Sequence, residues 1–244
     1  MKALAFNCSP RKQPWTTATL LEKALEGAAS QGAETRLYHM FDYKFSGCRS
    51  CYVCKRLGHE NDAKCFLKDE LTPILEDARD ADLLFLGSPI YYYAETGCFR
   101  NLFERLLYPW SVMTAGTRTQ FPRIINTALF YSMNLREDQI GERESPPYPE
   151  HFRLEVMEKS QFFMARTFGC CEVFLCTETQ QVKDFSKYRM SVREPEARIR
   201  RRQEVFPQDC RRAFELGARL AANPPTERQL AWQRDENAAR LIHG

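Results

Sequence analysis

The segment 82–87 constrains the fold of this chain more than any other part of its sequence. Its residues are Asp-Leu-Leu-Phe-Leu-Gly, with apolar side chains at successive rather than alternate positions. A strand with this pattern must be buried on both faces, as strands are in a parallel sheet that helices cover on both sides. The segment therefore predicts an α/β protein built around a parallel sheet.

Strands and helices alternate along most of the remaining chain. Four more apolar runs predict strands, at residues 2–7, 35–40, 124–131 and 171–176. Helical periodicity of the apolar residues appears at 16–28, 69–79, 99–106, 157–168 and 194–222, the last with a break near Pro207. Tandem strand–helix units of this kind connect parallel strands by right-handed crossovers. They therefore imply a doubly wound, five-stranded parallel sheet with helices on both faces.

The length of the chain allows one domain of this kind. Its 244 residues, 43% of them hydrophobic, can bury one α/β core and are too few for two independent ones. We predict that the domain spans residues 1–222, with an insert at 136–150, and that residues 223–244 form a tail. No apolar stretch approaches the roughly 18 residues that span a bilayer, and the first strand is too short for a signal-peptide core. We therefore expect a cytoplasmic protein.

The turn after the first strand has residues that suit a phosphate group. Ser9 and Arg11 follow the strand, and Thr16 and Thr17 begin the next helix. Hydroxyl groups, free backbone N–H groups and a helix N-terminus would gather there, at the carboxyl edge of the sheet where ligands of doubly wound proteins bind. An ordinary capped turn is the alternative. The sequence contains neither a G-x-G-x-x-G fingerprint nor a Walker A loop.

Three consecutive tyrosines, Tyr91 to Tyr93, follow the central strand and its Ser88-Pro89 pair. Successive side chains of an extended segment point in opposite directions, so the three cannot all enter one core. At least one is expected to be exposed at a binding site or an interface. An aromatic strand end that packs on a neighbouring element is the alternative.

Four cysteines in a loop at residues 45–66 need an explanation beyond burial. They form the pattern C-x2-C-x2-C-x10-C, with the residues Cys48, Cys51, Cys54 and Cys65. Thiols at steps of three can converge on one [4Fe–4S] cluster, whereas structural zinc usually takes two separated pairs. A cluster, free or redox-active thiols, and zinc all remain open. A disulfide framework is not expected in the reducing cytoplasm.

The charge distribution gives little support to a nucleic-acid-binding function. The formal net charge is only +3, although Arg200, Arg201 and Arg202 stand in a row in the last helical segment. A solvated helix face explains this run, and a segment that binds an acidic partner or a neighbouring subunit is the alternative. The four histidines show no catalytic spacing, so we assign no catalytic acid or base.

Several short motifs, in this order and at this spacing, resemble the NADPH-dependent FMN reductase and iron–sulfur flavoprotein family, which has a flavodoxin-like fold. The resemblance covers roughly residues 1–222. Its motifs are Asn7-x-Ser9-Pro10-Arg11 with Thr17 and Leu20-Leu21, Gly47-Cys48-x-x-Cys51-x-x-Cys54 with Asp69, Gly87-Ser88-Pro89-Ile90-Tyr91 with Thr96-Gly97, and Leu216-Gly217-x-x-Leu220-Ala221. The chain departs from the family pattern at Cys8 and at Trp15-Thr16, where relatives usually have Gly and Gly-Asn.

The resemblance implies a site for FMN. Its phosphate would bind Ser9, Arg11, Thr16 and Thr17. Its isoalloxazine ring would rest against Pro89, Ile90, Tyr91, Tyr92 and Tyr93, with Ser132, Met133 and Asn134 near the other side of the ring. Some relatives hold an iron–sulfur cluster on their cysteine loop.

The same resemblance implies a function. NAD(P)H would be the co-substrate, and electrons would pass to a quinone, a second flavin or another acceptor. The protein would be a homodimer or homotetramer with the flavin at the subunit boundary. Two alternatives remain: an iron–sulfur flavoprotein or electron carrier without its own NAD(P)H site, and a non-catalytic binding module that uses the Arg-rich C-terminal helix.

Overall fold

A computed structural model describes residues 1–58, 63–113, 119–136, 140, 153–190 and 194–227. The strands are β1 Lys2–Asn7, β2 Glu34–His39, β3 Leu83–Tyr91, β4 Ala94–Glu95, β5 Ile125–Ser132 and β6 Gly169–Cys176. The helices are α1 Thr16–Ser30, α2 Thr72–Arg79, α3 Gly97–Leu107, α4 Lys159–Phe168, α5 Pro195–Glu204 and α6 Phe206–Ala222. A π-helical turn, Arg153–Glu158, precedes α4.

Five of the strands form one parallel sheet in the order β2-β1-β3-β5-β6. This is the doubly wound order of flavodoxin-like folds, and it confirms the predicted five-stranded core. The chain reverses direction across the sheet between β1 and β3, so their carboxyl ends flank the switch point where ligands of such folds bind. None of the described helices is both long and apolar enough to cross a membrane.

Helices cover both faces of the sheet, and each face has its own apolar core. On one face α1 and α6 pack closely, because Gly27 of α1 and Gly217 of α6 each lie against the backbone of the other helix. A Cβ atom on Gly27 would lie 2.0 Å from the carbonyl oxygen of Phe214. The opposite face is covered by α2, α3 and α4, with aromatic side chains such as Phe99 and Phe168 at its centre.

The largest difference from the sequence-based strands is at the end of β3. We expected the strand to stop at Gly87, but it continues to Tyr91 and then turns back as β4, with Ile90 paired to Glu95. Tyr92 and Tyr93 form the turn with φ values of 49° and 61°, the left-handed conformation that a two-residue hairpin turn requires. Tyrosine is not a typical residue for such a turn, so the sequence carried no signal for it.

One helix bound also differs from the prediction, and a predicted helix break is confirmed. Helix α2 begins at Thr72 instead of Asp69, because the Asp69 side chain accepts the backbone N–H of Leu71 and forms a turn ahead of the helix. The last helical segment is broken as predicted, at Val205, two residues before Pro207. The insert at 136–150 lies outside the described residues except for positions 136 and 140, as does most of the tail. The division into domain and tail stays a prediction.

Candidate functional site

A cleft of about 700 Å³ opens at the carboxyl ends of β1, β3, β5 and β6. All twelve residues predicted to contact FMN line this one cleft: Ser9, Arg11, Thr16, Thr17, Pro89, Ile90, Tyr91, Tyr92, Tyr93, Ser132, Met133 and Asn134. Its volume lies within the range of small-molecule and cofactor sites. Six further lining residues were not predicted: Trp15, Leu135, Thr179, Gln180, Gln181 and Met190.

Asn7, which is fully buried at the end of β1, shapes the turn that enters the cleft. Its side-chain oxygen accepts the N–H of Ser9 at 3.1 Å, and its amide nitrogen donates to the carbonyl of Arg11 at 3.0 Å. The hydroxyl of Ser9 in turn accepts the N–H of Arg11 at 3.2 Å. The side chain of Asn7 therefore fixes the conformation of this turn, which explains why an asparagine begins the Asn7-x-Ser9-Pro10-Arg11 motif.

Helix α1 points its N-terminus into the cleft. Trp15 at the cap position makes no side-chain cap, and no acidic residue lies in the first turn. Thr16 and Thr17 are buried there, and the Thr17 hydroxyl lies 2.7 Å from that of Ser132 on β5. Backbone N–H groups at an uncapped helix start, with the positive end of the helix dipole, form a site for an anion.

The mouth of the cleft is bridged by Arg11. Its guanidinium lies 4.2 Å from the centre of the Trp15 ring and donates a hydrogen bond to the main-chain carbonyl of Gln181. The side-chain oxygen of Gln181 is buried and has no hydrogen-bond partner among the residues that the structure describes. A buried acceptor without a partner is rare in proteins, and a ligand hydroxyl or N–H in the cleft would satisfy it.

Arg202 on α5 adds a second cation behind the turn after β1. It donates to the carbonyl of Pro14 at 2.5 Å and to the Thr16 hydroxyl at 3.5 Å, and its guanidinium stacks 3.7 Å from the Phe206 ring. Burial lowers the pKa of Arg202 from its ordinary value. The sequence showed only a run of three arginines, and the long-range contact across 186 residues could not be foreseen.

The three tyrosines have different surroundings in the β3–β4 hairpin. Tyr92 is completely exposed at its tip and Tyr91 is 49% exposed, whereas Tyr93 packs against the core. The hairpin is fixed at its base, because the Ser88 hydroxyl accepts the N–H of Thr96. The prediction that at least one tyrosine is exposed is confirmed.

The opposite wall of the cleft is formed by the loops after β5 and β6. The N–H of Met133 donates to the carbonyl of Cys176 at 3.0 Å, and the N–H of Thr179 donates to the carbonyl of Met133 at 2.9 Å. The side chain of Asn134 donates to the carbonyl of Thr179 at 3.4 Å. These bonds extend the pairing of the two strands into the loops, so this wall is an ordered surface.

The four loop cysteines line one small cavity of about 20 Å³ beside the C-terminal half of α3. The guanidinium of Arg105, fully buried, donates to the sulfur of Cys65 at 3.3 Å and forms an ion pair with Asp69. Burial raises the pKa of the Cys54 thiol, and the neighbouring Lys55 ammonium partly opposes this. A set of four thiols next to buried positive charge suits an anionic iron–sulfur cluster.

The thiols are not arranged as a formed metal site. Within the described part of the chain, no three His, Cys, Asp or Glu side chains are grouped closely enough to hold one metal ion. None of the described residues lines both the cysteine cavity and the cleft.

Comparison with known proteins shows what the first half of the chain is similar to. Residues 1–119 match the NADPH-dependent FMN reductase family. This match confirms, over residues 1–119, the resemblance predicted from the sequence motifs. An iron–sulfur flavoprotein of Archaeoglobus fulgidus is 34% identical over 105 residues, which are 43% of this chain and 48% of that protein. One of Methanocaldococcus jannaschii is 32% identical over 105 residues, 43% of this chain and 51% of the relative. The matches thus span about half the length of these relatives.

Solved structures share the fold of this chain. The NAD(P)H:quinone oxidoreductase of Methanothermobacter marburgensis has a TM-score of 0.58 at 18% identity, over 90% of this chain and 98% of that one. RosB, solved with the intermediate 8-demethyl-8-formylriboflavin-5'-phosphate, has a TM-score of 0.58 at 17% identity, over 100% of this chain and 86% of that one. At these identities the likeness shows the flavodoxin-like fold.

Proposed function

We propose that this protein is an FMN-dependent oxidoreductase that takes hydride from NAD(P)H and passes the electrons to a quinone, a flavin or another acceptor. The observation that carries the proposal is the cleft itself. An uncapped helix N-terminus and a polar turn lie at one end of it, and an exposed aromatic hairpin lines it as well. These are the contacts that a phosphate and a flat apolar ring require.

We assign the phosphate group of FMN to the first turn of α1 and the turn after β1. Thr16, Thr17 and Ser9 supply hydroxyl groups, and the backbone of the same segment supplies N–H groups that no acidic side chain neutralises. Arg11 and Arg202 add positive charge on either side, which strengthens hydrogen bonds to an anion. Gln181 lines the same cleft, and its side chain would accept a ribityl hydroxyl of FMN through the oxygen that has no partner among the described residues.

We assign the isoalloxazine ring of FMN to the β3–β4 hairpin and to the opposite wall of the cleft, which the loops after β5 and β6 form. Tyr91, Tyr92 and Ile90 present apolar surface on one side, and Met133 and Leu135 present it on the other. When bound, FMN supplies the redox chemistry, and the protein supplies position and electrostatics. The half-exposed Tyr91 and the exposed Tyr92 leave room at the cleft mouth for a nicotinamide or an electron acceptor to approach the ring.

Anaerobic mixing tests this function. Protein reconstituted with FMN is mixed with NADPH or NADH, and the flavin absorbance is followed. We expect bleaching by at least one nicotinamide, followed by recovery when a quinone is added. A preparation that binds FMN but is reduced by neither nicotinamide, while dithionite reduces it, is an electron carrier instead. A preparation that binds no FMN contradicts the proposal.

A second candidate function is that of an iron–sulfur flavoprotein. It is favoured by the gathering of Cys48, Cys51, Cys54 and Cys65 on one cavity next to Arg105. These four thiols would hold a [4Fe–4S] cluster, which would accept electrons from the flavin one at a time. About four iron and four sulfide per chain in anaerobic protein, lost in Cys51→Ser and retained in Cys210→Ser, would support it. One zinc per chain, or no metal after anaerobic reconstitution, would contradict it.

The binding-module alternative gains no support from the Arg-rich segment. Its arginines are used within the protein: Arg198 pairs with Glu178, Arg201 with Asp209, and Arg219 with Glu172. Arg198 is 5% exposed and Arg201 lies against the buried Asp209. The solvated helix face that we expected is therefore wrong for Arg198 and Arg201, which tie α5 to the loop after β6 and to α6, whereas Arg200 and Arg219 are exposed.

A further inference from the structure

His39 at the end of β2 contacts the asparagine that shapes the turn after β1. The two residues are register partners on neighbouring parallel strands, and the Nδ1 atom of His39 lies 3.0 Å from the side-chain nitrogen of Asn7. Asn7 is fully buried and His39 is partly buried. His39 does not line the cleft, and the proposed flavin chemistry does not use it. It reaches the cleft through Asn7.

The neighbours of Asn7 fix the direction in which its amide group points. The backbone N–H of Ser9 can only donate, so the Asn7 atom that lies 3.1 Å from it is the amide oxygen. The amide nitrogen carries two hydrogens, and one of them goes to the carbonyl of Arg11 at 3.0 Å. The other goes to Nδ1 of His39. This nitrogen must therefore be an unprotonated acceptor, and the ring proton is on Nε2.

Protonation of His39 is incompatible with this arrangement. An imidazolium ring carries a hydrogen on both nitrogens, so Nδ1 would face the amide nitrogen of Asn7 as a second donor. Only a turned amide, with its oxygen towards His39, could accept that hydrogen. The turned amide would place its nitrogen against the N–H of Ser9 and its oxygen against the carbonyl of Arg11. Both hydrogen bonds that hold the turn would then be lost.

The surroundings of His39 favour the neutral ring. Burial lowers the pKa of His39 from its ordinary value, and the Lys12 ammonium in the turn after β1 lowers it further. The Asp42 carboxylate, in the turn after β2, opposes this but is itself paired with Lys12 at 2.7 Å. The β1 residue that faces the ring is the uncharged Asn7, and the first turn of α1 has no acidic residue. His39 is therefore neutral near pH 7 and gains its proton below about pH 6.5.

We propose that His39 is a positioning residue whose neutral form holds Asn7 in the orientation that FMN binding requires, and whose protonation weakens FMN binding. This rests on the proposed FMN site, because Asn7 holds Ser9 and Arg11, which are assigned to the phosphate. A direct attraction between a charged His39 and the phosphate would act in the opposite direction. Linkage separates the two effects: coupling through Asn7 makes bound FMN lower the pKa of His39, whereas direct attraction makes it rise.

NMR of the FMN-free protein tests the orientation of the amide. At about pH 8 the ring nitrogens of His39, identified by their absence in His39→Asn, should show a proton on Nε2 and none on Nδ1. As the pH falls, the backbone N–H signals of Ser9 and Arg11 should shift with the same midpoint as the ring. A proton on Nδ1 at about pH 8, or turn signals that do not follow the ring, would overturn the proposal.

FMN titration tests the effect on the cleft. Between about pH 7.5 and about pH 5.5 the parent protein should lose affinity at least about fivefold relative to His39→Asn, which keeps an acceptor near the position of Nδ1 and does not titrate. This ratio removes the titration of the FMN phosphate itself, whose second pKa is about 6. His39→Leu, which lacks the acceptor, should bind about fivefold more weakly at both pH values. His243→Gln is the control and should follow the parent protein.

The outcomes distinguish this proposal from the proposed function. A ratio of affinities that stays constant with pH, or a pKa of His39 that rises when FMN binds, would overturn the role of His39 and leave the FMN site standing. If the parent protein and all variants bind no FMN at either pH, the proposed function fails, and the role of His39 in FMN binding fails with it. The NMR result for the Asn7 amide would stand in that case.

Discussion

The hydroxyl groups of Thr17 and Ser132 lie 2.7 Å apart at the floor of the cleft, although 115 residues separate them in the chain. Thr17 belongs to the first turn of α1, and Ser132 ends β5. This hydrogen bond joins the two walls of the cleft at the point where the phosphate is proposed to bind. The first prediction tests that assignment.

We expect the double change Ser9→Ala, Thr17→Ala to weaken FMN binding at least about tenfold. Hydrogen bonds to a charged group contribute about 1.5–3 kcal/mol each, and about 1.4 kcal/mol corresponds to tenfold. Fluorescence titration with FMN measures the effect. Ser30→Ala, which removes a hydroxyl at the opposite end of α1, is the control and should bind normally. An unchanged affinity in the double variant would place the phosphate elsewhere.

For the side-chain oxygen of Gln181 we predict that one substitution lowers the affinity for FMN without lowering the thermal stability of the protein. Gln181→Met removes a buried acceptor that has no partner among the described residues, so the Tm of the FMN-free protein should not fall. FMN affinity should fall about fivefold, because a ribityl hydroxyl loses a hydrogen bond of about 1 kcal/mol. Thermal unfolding and FMN titration measure the two effects.

The control for Gln181 is Gln161→Met. The Gln161 side chain donates to the carbonyl of Cys171 at 2.8 Å and does not line the cleft. This variant should lose stability and keep its FMN affinity, which is the reverse pattern. If Gln181→Met lowers Tm without changing affinity, Gln181 supports only the fold.

The hairpin tyrosines should separate into two classes. Tyr91→Ala and Tyr92→Ala should leave Tm nearly unchanged, since both side chains are exposed, and at least one of them should shift the flavin spectrum and weaken FMN about fivefold. Tyr93→Ala should lower Tm, because Tyr93 packs against the core. Tyr52→Ala, an exposed tyrosine of the cysteine loop, is the control. Three unchanged spectra would show that the hairpin does not touch the ring.

Asp77 gives a prediction about pH. Burial alone would raise the pKa of its carboxyl, but hydrogen bonds from Lys2 and Tyr38 offset this and hold the pKa below its ordinary value. A carboxyl with a depressed pKa stabilises the folded state above its unfolded pKa of about 3.9, and this contribution is lost as the pH falls through the folded pKa.

Asp77→Asn should therefore destabilise the protein by about 1–2 kcal/mol near pH 6, and the difference from the parent protein should shrink below about pH 4. Thermal unfolding across this pH range measures it. Asp80→Asn, at the exposed end of α2, serves as the comparison and should show no such convergence. A difference for Asp77→Asn that stays constant with pH would mean that its charge contributes nothing.

The family resemblance and the main ligand candidates followed from short local motifs. Asn7, Ser9 and Thr17 lie within one turn and the adjoining helix start, so their chemistry depends on neighbours in the sequence. The Gly87–Tyr91 motif likewise predicted one wall of the cleft, although the hairpin turn at Tyr92 and Tyr93 was missed. That turn requires left-handed backbone at two tyrosines, which tertiary contacts impose against local preference.

The sequence by itself determined the layered sheet, its order of strand and helix, and the edge where a ligand would bind, because apolar periodicity and turn residues act over a few positions. Only the tertiary structure decided which distant groups meet there. The bridge from Arg11 to Gln181, the arginine of α5 behind Thr16, and the hydrogen bond between Thr17 and Ser132 each join elements far apart in the chain. Their energies depend on packing and burial, which no local pattern of residues encodes.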